Sequence, residues 1–184
     1  VRVAVDSQLA VDALAKAASA AGVTVGILVD LDLGAKRTGV QTVEQSLELA
    51  QHVDQTNGVR LDGLFYYPGH VRDQFEQKFK PLAATLNQAI ELWRAHGLAA
   101  TIVSGGSTPS QYWTHLLPMT TEIRPGNGIY FDRNALSIGY CTQHDCAAKI
   151  ITTVVSNTVP GKVVLDAGSK TLTSDLLLCA TGRG

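Results

Sequence analysis

The sequence contains few charged residues and no excess of either sign. Of its 184 residues, 17% are charged, and the formal net charge is -1. Proteins that bind nucleic acid through its phosphates generally carry a basic surface, so this balance argues against a nucleic-acid partner. No apolar run approaches the roughly 20 residues that a membrane-spanning helix needs. With 45% hydrophobic residues, these absences predict a soluble globular protein that binds neither polyanions nor membranes.

Cysteine is scarce as well. The chain has three, Cys141, Cys146 and Cys179, and none forms a Cys-x-x-Cys pair. This number and spacing favour reduced thiols in a cytoplasmic protein over a disulfide framework or a zinc site. His144 and Asp145 precede Cys146, but two further ligand types on one short segment do not define a metal site. We therefore predict no metal ligand in this chain.

No Gly-x-Gly-x-x-Gly motif follows any predicted strand, which argues against a dinucleotide-binding sheet. The sequence instead alternates strand patterns with helix patterns. The β-branched run at 23–33 is typical of a strand buried on both faces, and apolar residues three or four apart in 82–93 predict an amphipathic helix. Strand patterns occupy 1–6, 23–33, 60–67, 99–104 and 119–126. This alternation predicts parallel βαβ units.

Five such units are fewer than an eight-stranded barrel requires. Val1 begins inside an extended pattern and the last residues, "LLLCATGRG", lack a closing element, so we expect a piece of a longer protein. Beyond Asp132 the pattern changes to short β-branched runs around a Pro-Gly turn, which is typical of antiparallel β-structure. We predict an α/β fold: part of a (β/α)8 TIM-type barrel over residues 1–136, then the start of a β-rich domain over residues 137–184.

Glycine-rich segments follow two neighbouring strands of the predicted barrel. Functional residues of parallel α/β proteins gather where the carboxyl ends of strands meet loops. Thr108 is suited to cap a helix that begins at Pro109, and a helix N-terminus preceded by glycine amides binds phosphate well. The predicted phosphate ligands are Gly105, Gly106, Ser107, Thr108, Gly126 and Asn127.

Other polar residues follow the earlier strands. Arg37 lies in a glycine-flanked loop after the second strand, and Tyr67 and His70 flank a Pro-Gly turn after the third. Their positions make all three candidates for binding. Asp30 and Asp32 lie in one extended pattern, and we expect them to face opposite ways, with one of them supporting Arg37.

Five segments of the chain resemble a known family. They are "VDLDLGAKRTGV", "FYYPGH", "VSGGSTPS", "TEIRPGNGIYFDRN" and "VVLDAGSKTLTSD", and they occur in the family's order and spacing between about residues 25 and 175. In these segments the chain resembles the D-threonine aldolase and D-serine dehydratase family. Its members are fold-type III pyridoxal-phosphate enzymes related to the N-terminal barrel of alanine racemase.

The resemblance implies a barrel with pyridoxal 5'-phosphate at its mouth. The two glycine turns would hold the cofactor's phosphate, Arg37 would reach the phenolic oxygen of its ring, and Tyr67 and His70 would be the catalytic candidates near the substrate. Many members have an aromatic residue where this chain has Gly128, and Tyr130 would take its place. The substrate would be a D-β-hydroxy-α-amino acid, cleaved to glycine and an aldehyde or dehydrated toward a keto acid and ammonia.

The family also requires two motifs that this sequence lacks. One is a lysine on the first barrel strand that binds the cofactor, and the other is a C-terminal His with Asp or Cys that binds a divalent metal (Mn, Mg or Zn). We expect both outside this piece, which alone would be inactive. A non-catalytic pyridoxal-phosphate-binding barrel, a racemase-like enzyme and a phosphate-binding barrel enzyme without the cofactor stay open as alternatives. A homodimer is compatible with the resemblance, but the sequence does not fix the assembly.

Overall fold

The computed structural model describes residues 1–168, 170 and 171. Five strands form one parallel sheet in the order in which they occur along the chain. They are β1 (Arg2–Val5), β2 (Val25–Asp30), β3 (Val59–Phe65), β4 (Ile102–Gly105) and β5 (Glu122–Ile123). Doubly wound sheets reverse their strand order at a switch point, whereas barrels keep it sequential. The α/β fold with a parallel sheet is confirmed, while the closed barrel stays a prediction.

Three long helices connect the first four strands. They are α1 (Gln8–Ala20), α2 (Val43–Gln55) and α3 (Phe75–Ala95). Ser7 caps α1 by accepting the Ala10 N–H at 3.4 Å. Thr42 caps α2 in the same way by accepting the Gln45 N–H at 3.1 Å. These hydroxyls satisfy N–H groups that have no partner inside the helix, and so fix where each helix begins.

The main core lies between the sheet and the helices, and α2 packs between α1 and α3. Trp93 of α3 is fully buried there, and its indole N–H donates to the Ser46 hydroxyl of α2 at 3.1 Å. A buried indole needs such a partner, because an unpaired N–H would cost about 1–3 kcal/mol. Packing against the helices therefore fixes the strands of the sheet, and the loops at their carboxyl ends begin at these fixed strands.

The chain divides into two compact units, Val1–Gly126 and a second that begins at Asn127, ahead of the change predicted near Ser137. In the second unit Asp132 caps the short helix α4 (Arg133–Ser137). β6 (Val154–Ser156) and β7 (Val164–Leu165) then pair antiparallel, in agreement with the pattern of the sequence. Ala167, Gly168, Lys170 and Thr171 follow, and the predicted β-structure in 172–184 lies outside the described residues.

A helix that crosses a membrane must be both long and apolar. Within residues 1–168, 170 and 171, none is both long and apolar enough to cross a bilayer.

Candidate active site

The loops after β2 and β3 meet at Arg37 and Tyr67. The Arg37 guanidinium lies over the Tyr67 ring, 4.1 Å from its centroid, in the geometry of a cation–π contact. Both side chains line a small cleft. Its remaining lining residues are Asp30, Leu31, Asp32, Ala35 and Thr38. The structure thus brings together two of the residues that the sequence singled out, and it adds Asp30 and Thr38.

The expectation that Asp30 and Asp32 face opposite ways is wrong, because residues two apart in an extended segment point to the same face, and both line this cleft. Strand β2 ends at Asp30, and Leu31 makes only an isolated bridge with Val40. The Asp32 carboxylate instead accepts the N–H groups of Gly34 at 3.0 Å and Lys36 at 3.1 Å, and so shapes the loop that carries Arg37.

Asp30 is the more unusual of the two carboxyls. It is buried, and burial raises its pKa above the ordinary value; the Asp6 carboxylate acts in the same direction. A hydrogen bond with Thr38 and the positive charges of Arg124 and Arg37 offset this effect only in part. A buried carboxyl with a perturbed pKa at a strand end is typical of functional sites.

His70 lies at the same edge of the sheet. It is exposed, and a methyl group on Gly34 would lie 3.3 Å from its Nε2 atom. The loop after β3 therefore passes close to the loop after β2. Tyr67 folds against Gly69 so closely that a methyl group there would lie 2.1 Å from the phenol ring. The Pro-Gly turn thus fixes the Tyr67 ring beside Arg37, and His70 faces the same loop.

The turn after β4 has the features of an anion-binding backbone. Gly106 has φ of +95°, a conformation that side chains disfavour, and it is buried. Within the described part of the chain its N–H has no hydrogen-bond partner, although nearly all buried N–H groups are paired in proteins. Gly105 is required for a different reason, since a methyl group there would lie 2.0 Å from the buried Tyr66 ring.

The helix predicted to begin at Pro109 does not form. Residues 108–113 make successive turns, and a short 3-10 helix follows at Thr114–Leu116. The Ser110 hydroxyl accepts the Ser107 N–H at 3.0 Å, and the Ser110 N–H donates to the Ser107 carbonyl at 3.1 Å. These local bonds compete with an α-helix. Ser107 is therefore held in place by a hydrogen-bonded serine pair, and Thr108 caps no helix.

Arg124, at the end of β5, was missed by the sequence reasoning. Its guanidinium donates to the Ser104 hydroxyl at 3.1 Å and to the Tyr66 carbonyl at 2.8 Å, and lies 3.7 Å from the centroid of the Phe65 ring. Burial lowers its pKa from the ordinary value, while Asp30 acts in the opposite direction. The available signal was its place directly after a strand, among residues already suspected of binding phosphate.

The remaining predicted residues follow β5. Gly126 opens a 3-10 helix, Gly126–Ile129, and its N–H donates to the Arg124 carbonyl at 3.0 Å. Asn127 and Tyr130 belong to the second unit, where the Tyr130 N–H donates to the Asn127 carbonyl at 3.2 Å and the Tyr130 ring is exposed. Their contribution to the cofactor site stays a prediction.

A family comparison identifies the first unit. The alanine racemase N-terminal domain matches residues 1–134, nearly three quarters of the chain. The chain belongs to this family. Its sequential parallel strands, with polar residues at their carboxyl ends, are consistent with that membership.

Curated relatives of this chain are aldolases and dehydratases by name. The chain is 31% identical to 3-hydroxy-D-aspartate aldolase of Paracoccus denitrificans over 95% of its own length and 48% of the relative's. It is also 31% identical to D-threo-3-hydroxyaspartate dehydratase of Delftia sp., over 93% and 47% of the two chains. The solved D-threonine aldolase of Filomicrobium marinum superposes with a TM-score of 0.80 at 29% identity, covering 95% and 49%. The chain spans about half the length of the curated relatives it matches.

Proposed function

We propose that this chain is part of a pyridoxal-phosphate-dependent lyase that acts on D-β-hydroxy-α-amino acids. The observation that carries this proposal is at the carboxyl edge of the sheet. There the turn after β4 presents a buried N–H, at Gly106, that has no partner among residues 1–168, 170 and 171, while β2 and β5 end beside two arginines, Arg37 and Arg124. A dianionic phosphate and an anionic ring oxygen are the groups that such donors bind.

The glycine turn fits the phosphate of the cofactor. The Gly106 N–H would donate to a phosphate oxygen; glycine tolerates the positive φ of this turn and has no side chain to block that approach. The Ser107 hydroxyl is buried and oriented by Ser110. Thr108 would add a second hydroxyl at the rim of the turn. Asn127 and Tyr130 stay candidates for cofactor binding on the resemblance alone.

The other edge residues would orient the ring and the substrate. When bound, pyridoxal phosphate supplies an electron sink for bond cleavage at the substrate α-carbon. Arg37 would donate to the phenolic oxygen of the ring, and its stacking on Tyr67 limits the directions it can take. Hydrogen bonds to the Ser104 hydroxyl and the Tyr66 carbonyl fix Arg124, so its positive charge is held next to the ends of β3 and β4. The Tyr67 phenol and His70 imidazole would hold or move protons on the substrate side.

The described residues do not offer a metal site of their own. Among residues 1–168, 170 and 171, no three side chains of His, Cys, Asp or Glu cluster in a way that could hold an ion. We therefore assign no metal ligand to this part of the chain and derive no step through a metal.

Three relatives set the choice of substrates to test. Their names describe aldolases and a dehydratase of D-threonine and of 3-hydroxy-D-aspartate, and a further relative in Dictyostelium discoideum, 27% identical, is a D-serine dehydratase by name. All of these substrates have a hydroxyl on the β-carbon of a D-amino acid. A proton acceptor near that hydroxyl, such as Tyr67 or His70, would serve either reaction.

The test uses protein expressed from its complete reading frame and loaded with pyridoxal phosphate. We expect visible absorption from the bound cofactor and turnover of D-threonine, D-serine or 3-hydroxy-D-aspartate, with the L-enantiomers as controls. Tyr67→Phe should lower kcat while it leaves the cofactor bound. Cofactor uptake without turnover of any of these substrates would favour a non-catalytic carrier, and failure to take up the cofactor would refute the proposal altogether.

A further inference from the structure

Two cysteines of the second unit flank a single helical turn. Cys141 precedes and Cys146 follows the 3-10 helix Gln143–Asp145. Thr142 and Asp145 close this turn as a capping box, in which the Thr142 N–H donates to the Asp145 carboxylate at 2.7 Å. The Thr142 hydroxyl also donates to this carboxylate, at 2.7 Å, and the Asp145 N–H donates to the Thr142 carbonyl at 3.1 Å. These bonds hold the turn, and the Cys146 thiol lies 3.9 Å from the same Thr142 carbonyl.

The capping box brings the two thiols together. With Thr142 as the N-cap, Cys141 and Cys146 occupy the positions before the cap and four residues after it, whose side chains pack on each other in a hydrophobic staple. The Cys146 thiol is one of the groups that raise the pKa of Cys141, which is the effect of a neighbouring thiol. The Cys146 thiol also lies 3.7 Å from the Asp132 carbonyl, which anchors it at the start of α4. Both cysteines are free and partly exposed, so small oxidants can reach them.

We propose that Cys141 and Cys146 form a reversible dithiol–disulfide site for low-molecular-weight disulfides such as oxidised glutathione. One cysteine, as its thiolate, attacks the small disulfide and releases one small thiol, which leaves a mixed disulfide on the protein. The neighbouring cysteine then loses its proton, attacks the protein-bound sulfur and releases the second small thiol. The protein loses two electrons and two protons, and the small disulfide gains both.

Local charge sets the speed of this reaction. Burial, the Cys146 thiol and the carboxylates of Asp145 and Asp132 all raise the pKa of Cys141 above its ordinary value. Little Cys141 thiolate is therefore present at neutral pH, and its exchange should accelerate as the pH rises. A metal is a poorer occupant, because no third ligand joins the pair among the described residues and the Asp145 carboxylate already binds Thr142.

The pair is adjacent to a segment of the candidate site. The N–H of Ala147, the residue after Cys146, donates to the Tyr130 carbonyl at 2.8 Å. A bridge at Cys146 would restrict the strand of chain that carries this bond. Any effect on the cofactor through Tyr130 rests on the proposed function, whereas formation of the bridge does not depend on it.

The test equilibrates the protein with mixtures of reduced and oxidised glutathione at about pH 8.5, near the ordinary pKa of a thiol. A Cys179→Ser background removes the third cysteine. Intact mass should fall by two hydrogen atoms, without a glutathione adduct, and peptide mapping should join Cys141 to Cys146. Cys141→Ala and Cys146→Ala should each retain the adduct at the remaining cysteine.

A cap variant makes the test specific to the geometry. Thr142→Val should lower the equilibrium constant for the bridge about fivefold, the effect expected for loss of a helix cap. Thr158→Val, elsewhere in the same unit, should leave it unchanged. Stable glutathione adducts on both cysteines of the parent protein would overturn the proposal, and so would thiols that do not react. The parent protein alone decides these outcomes if a variant fails to fold.

Discussion

The two ends of the parallel sheet treat buried charge in opposite ways. At the amino end, the Asp62 carboxylate is buried on β3 and accepts from Arg2 at 2.8 Å and from Arg60 at 2.6 and 3.0 Å. Gly26 of β2 makes room for it, since a methyl group there would lie 2.2 Å from the Asp62 Oδ2 atom. The hydrogen bond from Arg60 lowers the pKa of Asp62 more than burial raises it. This end of the sheet stabilises its charge.

At the carboxyl end the balance is reversed. Burial raises the pKa of Asp30 and lowers that of Arg124, so neither charge is fully compensated by the other. Arg37 is exposed over Tyr67, and the Gly106 N–H has no partner in the described part of the chain. In (β/α)8 barrels, the amino end of the sheet generally serves stability and the carboxyl end catalysis. The difference in compensation indicates which end of this sheet is adapted to bind a ligand.

Tight packing under the glycine turn gives the largest effect that we expect. Gly105→Ala should lower the free energy of unfolding by about 3 kcal/mol, because the new methyl group would meet the Tyr66 ring, which is fully buried and hydrogen-bonded to Thr120. Gly106→Ala is the matched control, with a contact of 3.5 Å to Ile123 and only backbone strain, worth roughly 1 kcal/mol. Chemical denaturation measures both. Equal losses would mean that the turn lacks this packing.

Asp62 and Asp30 allow the same substitution at both ends of the sheet. Asp62→Asn should cost about 2 kcal/mol, because two arginines lose a charged partner at a buried position. Asp30→Asn should be neutral or stabilising, since it removes a charge that burial disfavours while it keeps an oxygen for Thr38. Urea denaturation at neutral pH provides the comparison. A cost at Asp30 as large as that at Asp62 would contradict the distinction between the two ends.

Much of this arrangement could be predicted from the sequence because it is local. Strand and helix periods, and the hydroxyls of Ser7 and Thr42 at the helix starts, follow from neighbouring residues alone. The start of α3 at Phe75 was less accessible, because Pro81 usually marks a helix boundary yet lies inside this helix. The prediction of pyridoxal phosphate as the cofactor came from the family resemblance, because no local pattern specifies a cofactor.

Two features of the site differ from what the sequence led us to expect, and they do so for different reasons. Asp32 shares a side with Asp30 because residues two apart in an extended segment point to the same face, so this error could have been avoided from the sequence. Arg124 gains its place from partners 20 and 58 residues away, Ser104 and the Tyr66 carbonyl. Sequence propensity does not describe the place of Arg124, whereas strand order puts all of these residues at one edge of the sheet.

Acid titration sharpens the comparison with a smaller effect. The folded pKa of Asp62 is lowered, so its stabilisation is present above the unfolded pKa of about 3.9 and is lost as the pH falls through the folded value. The folded pKa of Asp30 is raised, so its ionisation removes stability as the pH rises from about 3.9 through the folded value. As the pH rises from about 3 to about 8, the wild type should become more stable relative to Asp62→Asn and less stable relative to Asp30→Asn. Parallel curves for the two variants would rule out opposite shifts.

Arg37 should give the smallest change in stability and a modest change in binding. Its side chain is exposed, so Arg37→Ala should alter the free energy of unfolding by less than about 0.5 kcal/mol. Retention of pyridoxal phosphate should nevertheless weaken about fivefold, in line with the loss of one charge-assisted hydrogen bond. In Arg37→Lys, retention of the cofactor should lie between that of the wild type and that of Arg37→Ala, since lysine keeps the charge but lacks the planar group that stacks on Tyr67. Dialysis followed by absorbance measures retention, and unchanged retention in Arg37→Ala would remove Arg37 from the cofactor site.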